Sequence, residues 1–146
     1  MDLRLTFNED VLSYDRLHPS YADELFDDVI RFSNLNISKS ALEIGIGTGQ
    51  TTLPFLRSGS KVTAIEIGDK LAQFSREKFS EFKIFEVINQ DFESVQLDEN
   101  AYDLVYSASD FHWIPPFLKK ISDAINHCGG KFTFFDTMIL CMGRKP

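Results

Sequence analysis

An apolar run that stops at three glycines spaced every second residue is the stretch of this sequence best suited to chemistry: Ala41-Leu42-Glu43-Ile44-Gly45-Ile46-Gly47-Thr48-Gly49-Gln50-Thr51. Glycine lets the backbone turn sharply and lets a ligand lie against bare main chain. A helix starting after such a turn points unpaired N–H groups at whatever binds there. The pattern reads as a loop for a nucleotide-type cofactor. It departs from the dinucleotide fingerprint G-x-G-x-x-G, because the third glycine would fall at position 50, where the chain has Gln50. A glycine-rich turn also occurs in plain loops, so other strand ends must decide the matter.

Two further acids stand where such a site would need them. Glu66 follows Gly45 by 21 positions, the place where a carboxylate takes both ribose hydroxyls of an adenosine cofactor by accepting two hydrogen bonds. The alternative for Glu66 is a solvated acid at a strand terminus. Asp91, in Asn89-Gln90-Asp91-Phe92, suits the exocyclic amine of adenine or, equally, an ordinary helix cap. Phe92 could cover the adenine face, though among 14 phenylalanines a core position is the safer reading.

The elements that must position these residues alternate. Ser20 and Asp23 suggest a capping box for a helix through about Phe32, with Leu25, Phe26, Val29 and Ile30 on one face. Strands are expected at Ala41–Gly45, Lys61–Ile67, Ile84–Ile88, Tyr102–Ser107 and Lys131–Asp136. The first is followed by a helix from near Gly49, where Pro54 is tolerable close to the start. Asp69 can cap a helix carrying Leu71, Phe74 and Phe79. Pro115-Pro116 opens one with Leu118, Ile121 and Ile125, ended by Gly129-Gly130. The fourth strand is apolar on both faces, as in a buried parallel sheet. This alternation predicts an α/β fold, a Rossmann-like parallel sheet of about five strands with flanking helices and ligands at the strands' carboxyl ends.

These residues together resemble the class I S-adenosylmethionine (SAM)-dependent methyltransferases. Glu43-Ile44-Gly45-Ile46-Gly47-Thr48-Gly49, Glu66, Gln90-Asp91 and Gly129-Gly130 fall in methyltransferase order. The segment from Tyr102 to Ile114 is similar to the fourth-strand motif of the small-molecule subgroup often labelled type 11. Tyr14-Asp15-Arg16-Leu17-His18-Pro19-Ser20-Tyr21 is similar to its N-terminal signature. In that signature arginine usually stands at the position of His18, and proline follows that of Tyr21; this chain has His18 and Ala22. Imidazole cannot copy the bidentate grip of a guanidinium on a carboxylate.

The resemblance covers residues 7 to 136 and implies SAM as cofactor, with S-adenosyl-L-homocysteine as its product. It places Glu43, Gly45, Ile46, Gly47 and Gly49 at the methionine and ribose portions, Glu66 and Ile67 at the ribose, and Gln90, Asp91 and Phe92 at the adenine. Ser107 would lie near the sulfonium, and Tyr14 and His18 would close over the methionine end. Methyl transfer needs alignment and exclusion of water more than covalent help, and a base only when the nucleophile arrives protonated. His112, beside Asp110, is the nearest candidate base, although packing of Phe111-His112-Trp113 is the favoured reading.

Charge narrows the partners. The 146 residues are 43% hydrophobic and carry 22 acidic against 15 basic side chains, a net charge of −7, with a pI near 4.9. The composition fits one domain: an N-terminal helical segment over 1–40, a core over 41–136 and a tail over 137–146. No Lys/Arg cluster offers a phosphate-binding stripe, so the expected acceptor is a small organic molecule, not nucleic acid. No signal peptide or membrane-length apolar run is visible, and Cys128 and Cys141 lack metal or redox spacing, which points to the cytoplasm. His18, His112 and His127 share no metal-ligand spacing. Only ten residues follow Asp136, too few for the antiparallel hairpin that the family carries after its fifth strand. The expectation is therefore a truncated core with an exposed fifth-strand edge, self-association into a homodimer and weak turnover. The rival functions are a SAM-binding domain without turnover and a nicotinamide-dependent dehydrogenase, the latter weakened by Gln50.

Overall fold

The computed structural model describes residues 3–18, 20–98 and 100–108. A short 3-10 helix, Leu3–Asn8, precedes α1 (Val11–Leu17) and α2 (Asp23–Ser33). Strands and helices then alternate as β1 (Ser40–Ile44), α3 (Thr52–Arg57), β2 (Lys61–Glu66), α4 (Asp69–Lys78), β3 (Phe85–Asn89) and β4 (Leu104–Tyr106). Among the described residues the four strands form one parallel sheet in the order β3-β2-β1-β4. The order doubles back at β1, whose neighbours are β2 and β4, so the carboxyl end of β1 opens at the point where ligands bind in such sheets.

Side-chain alternation divides the core. On one face, Ala41, Val62, Ala64, Leu104 and Tyr106 pack with Phe26 and Val29 of α2, Phe55 and Leu56 of α3, and Phe79. On the other, Leu42, Ile44 and Ile65 pack with Ile88, Phe92, Val95, Leu97 and Tyr102. Both sheet faces are covered, which is why β1 and β2 read as near-continuous apolar runs. Glu43 is the exception in β1. Its register places it between Ala64 of β2 and Tyr106 of β4, on the face of Ala41.

Several boundaries differ from the sequence expectation. The Ser20–Asp23 capping box does not form: α2 begins at Asp23, with Ala22 as N-cap and no side-chain cap bond. Asp23 and Glu24 instead lie in the first turn, where negative charge suits the helix dipole. The helix after the glycine loop starts at Thr52, not near Gly49, and is six residues long, with Pro54 third in it. Asp69 is the first residue of α4 and Gly68 its N-cap; the capping oxygen comes from Asn8 instead. Asn8 Oδ1 accepts from the N–H groups of Lys70 and Leu71 at 2.9 and 3.1 Å, and Asn8 Nδ2 donates to Asp69 Oδ1 at 2.7 Å. The fourth strand is three residues long and Val105 within it is exposed. Just before the strand, Asp103 donates its N–H to the Ser40 carbonyl at 2.8 Å, while its carboxylate accepts from Lys39 Nζ and the Ser40 N–H.

The proposed fifth strand, the helix from Pro115, Gly129-Gly130, His112, His127, both cysteines and the tail lie outside the described residues, and with them the expected dimer edge. Among the described residues no helix is long and apolar enough to cross a membrane.

Candidate cofactor site

All three glycines of the loop adopt left-handed backbone, with φ of 71° at Gly45, 56° at Gly47 and 81° at Gly49. Other residues reach that region only with strain. At Gly49 space decides as well: a Cβ there would sit 2.3 Å from the Phe79 ring. At Gly47 a Cβ would press on Tyr14 at 3.3 Å. The loop leaves β1 through Gly45 N–H donating to the Ile65 carbonyl and closes with Gly49 N–H donating to the Ile46 carbonyl, both at 2.9 Å. Ile46 turns its side chain into the core. The next two carbonyls face α4, where Ser75 Oγ donates to Gly47 O and Lys78 Nζ to Thr48 O, each at 2.8 Å.

The two glutamates are built differently. Glu43 is buried and saturated by hydroxyls: Thr51 at 2.6 Å on one carboxylate oxygen, Thr52 at 2.7 Å and Tyr106 at 2.8 Å on the other. Burial pushes its carboxyl from 4.5 up to about 7 against the pull of the three hydroxyls, with a smaller push from Glu66. Burial, and then the charge and hydrogen bond of Glu43, likewise raise the Tyr106 phenol. Glu43 thus ties the segment after the loop to β1 and β4.

Glu66, at the end of β2, accepts the Gly47 N–H at 2.8 Å and the Gly68 N–H at 2.9 Å on separate oxygens. Burial raises its carboxyl, opposed by the backbone donors Gly68, Gly47 and Ile67. With roughly four lone-pair sites on a carboxylate, it keeps acceptor capacity beyond these bonds. Asn89 Nδ2 braces this corner by donating to the carbonyls of Glu66 and Ile67 at 2.8 and 3.2 Å.

The remaining expected residues fall into two groups. Tyr14 covers Gly47 and heads a chain of ring contacts: Phe7 at 5.0 Å on one side, His18 at 5.2 Å on the other, then Tyr21, Phe26, Phe55 and Tyr106. Phe7, Asp10, Ser13, Tyr14, Leu17 and His18 also line an apolar groove of about 390 Å³. Ser107, just past β4, is buried, and its Oγ has no hydrogen-bond partner among the described residues. Such an atom usually has a ligand or water to satisfy it.

On the far side of the sheet the arrangement is looser. Asp91 accepts the Glu93 N–H in a turn, Gln90 is exposed, Ile67 is half-buried, and Phe92 packs against the second core cluster. The structure thus gathers Tyr14, the glycine loop and Glu66, with Glu43 beneath the loop. Sequence reading missed Thr51, Thr52 and Tyr106 around Glu43, and Asn8, Asp15, Ser75, Lys78 and Asn89 around the loop and Glu66. The spacing of Ser75, Lys78 and Phe79 on one helical face was the available signal. Nothing local marks Asn8.

A parallel sheet that doubles back at β1, a left-handed glycine loop there and an acid ending β2 define a Rossmann-like cofactor-binding protein of the nucleotide class. Comparison with known proteins narrows this. Residues 42–130 match the family described as "Methyltransferase domain". An uncharacterized methyltransferase of Bacillus cereus (strain 03BB102) is 31% identical over 131 residues, covering 87% of this chain and 58% of that protein. An rRNA adenine N-6-methyltransferase of Limosilactobacillus reuteri is 27% identical over 95 residues, covering 65% and 39%. The solved RNA methyltransferase of Salinibacter ruber, in complex with S-adenosyl-L-homocysteine, superposes with a TM-score of 0.63 at 13% identity, covering 88% of this chain and 94% of that one. The chain belongs to the methyltransferase-domain family, within the class I SAM-dependent methyltransferases. It spans 39% to 58% of the length of these two curated relatives.

Proposed function

We propose that the chain transfers the methyl group of SAM to a small organic acceptor, with the cofactor held between the glycine loop, Glu66 and Ser107. The observation that carries this is the pairing of a left-handed glycine loop with a buried carboxylate and a buried hydroxyl that has no partner among the described residues, at neighbouring strand ends. These residues fit the group. Glu66 offers acceptor capacity for a ribose diol, the loop offers three residues without side chains of their own, and Ser107 offers a hydroxyl with no partner among the described residues.

When bound, SAM supplies a methyl activated on a sulfonium for in-line displacement. The protein's part is orientation and exclusion of water. Glu66 and the loop fix the cofactor's position, and Tyr14 and His18 cover the methionine end. Glu43 shapes the loop from beneath through Thr51 and Thr52. Asp91 and Gln90 would mark the adenine, with Phe92 toward its face.

The net charge of −7 supports a small acceptor, and the apolar groove beside Tyr14 gives one a place to approach. The names of the L. reuteri and S. ruber proteins favour RNA as the second reading. Incubation with labelled SAM and panels of small acceptors or ribosomal RNA tests both. Label transferred to a small molecule supports the proposal, and transfer to RNA replaces it. SAH binding without transfer to either acceptor assigns a cofactor-binding domain without turnover.

A further inference from the structure

Two residues of the last turns of α4 and its C-cap, Phe79, grip three consecutive residues of the glycine loop. Ser75 Oγ, fully buried, holds the Gly47 carbonyl; Lys78 Nζ holds the Thr48 carbonyl; and the Phe79 ring fills the space that a side chain at position 49 would need. Spacings of three and four residues put all three on one side of the helix. α4 is therefore a template for the loop. Lys78 does something more, because its ammonium also pairs with the Asp15 carboxylate of α1 at 2.8 Å. It lies near the rings of Phe74 and Phe79, at 5.5 and 5.8 Å, which restricts where the charge can go. Each charged side chain of the pair is about one-third exposed, so solvent screens part of the attraction.

The strap carrying Asp15 is tied at both ends of α4. Asn8 caps its first turn and Asp15 meets its last, with Tyr14, next to Asp15, lying over Gly47. α1 itself has no buried residue, so little apolar packing holds it down. Polar ties carry that task.

We propose that Lys78 is a positioning residue for cofactor binding, which links closure of α1 over the site to the shape of the glycine loop by donating to Asp15 and to the Thr48 carbonyl together. The proposal rests on the loop being the SAM site. One bond fixes the loop, the other fixes the cover, and a single ammonium makes the two events one. Losing the ammonium loosens both, although Asp15 keeps its hydrogen bond with the Thr48 side chain. The link is reciprocal: a cofactor that favours the held loop also favours the closed strap.

Lys78→Met keeps the stem against the two rings and deletes the donor. In the full chain without cofactor, amide hydrogen exchange across Val11–Leu17 should accelerate by about tenfold, and calorimetry should show SAH binding weakened by a similar factor. Stopped-flow measurement should place the loss mainly in the dissociation rate. Lys78→Arg should restore both, since it keeps charge and donors. Asp15→Asn should free the helix similarly, and the double variant Asp15→Asn/Lys78→Met should be no worse than Lys78→Met alone. Should Lys78→Met not fold, Asp15→Asn breaks the tie from the α1 side and gives the same two readings. Unchanged exchange in α1 would overturn the proposal, as would faster exchange with unaltered SAH affinity, or losses in the two single variants that simply add. If the parent chain does not bind SAH, the cofactor reading fails, while the exchange measurement still judges the Lys78 tie.

Discussion

At the scale of single residues, Glu43 and Glu66 show how one side-chain type takes two tasks. Glu43 is enclosed by three hydroxyls and its carboxyl is pushed up by burial, whereas Glu66 faces backbone N–H groups at a strand end. In the unfolded chain the Glu43 carboxyl ionises near 4.5, and in the fold burial pushes this up to about 7. The folded state therefore binds more protons between these values. Its contribution to stability is complete below about pH 4.5 and is lost as pH rises through about 7. Glu43→Gln keeps an acceptor and removes the titration, so its stability should fall less steeply across that window. The variant should gain up to about 3 kcal/mol on the parent above neutrality, at about 1.4 kcal/mol per pKa unit. Denaturant titrations at pH 4.5 and 8 check this, and parallel pH profiles would show that the charge is not desolvated. At Gly47, a valine places a branched side chain in left-handed backbone against Tyr14. SAH binding should be lost while the circular dichroism of a folded chain persists, and unchanged affinity would remove the loop from the site.

At the scale of elements, α4 is the member that organises the site, and its own start depends on a residue about sixty positions away. Asn8→Ala removes the oxygen that caps Lys70 and Leu71 and should cost about 1 kcal/mol, the usual worth of an N-cap. Thermal unfolding measures it, and an unaltered midpoint would mean that water replaces the cap without loss. The sequence made the sheet legible because β1 and β2 are covered on both faces and so carry dense apolar runs. The glycine loop was legible because only glycine tolerates its backbone. Helix starts were less so. Ser20 and Asp69 look like caps locally, yet α2 begins two residues later than Ser20 would place it, and α4 takes its cap from a distant asparagine. Tyr106 was invisible as a site residue because its role comes from register; Ser75 and Lys78 share a helical face with Phe79 in the sequence, but only the assembled sheet brings that face opposite the loop.

At the scale of the whole molecule, the acidic surface and the relatives' names pull in different directions over the acceptor. A net charge of −7 repels a phosphate backbone, so electrophoretic shift at low salt should show no tight binding of ribosomal RNA. A tight complex that weakens steeply with salt would favour RNA as acceptor. In the proposed arrangement one SAM-type cofactor sits between the Gly45–Gly49 loop and Glu66. Calorimetric titration of the chain and of Glu66→Ala with SAH tests it most directly. The parent should bind one SAH per chain, and the variant should lose of order 1.5–3 kcal/mol of binding free energy for each hydrogen bond withdrawn from the charged carboxylate. Equal dissociation constants in the two folded proteins, or no heat of binding in the parent, would contradict the assignment.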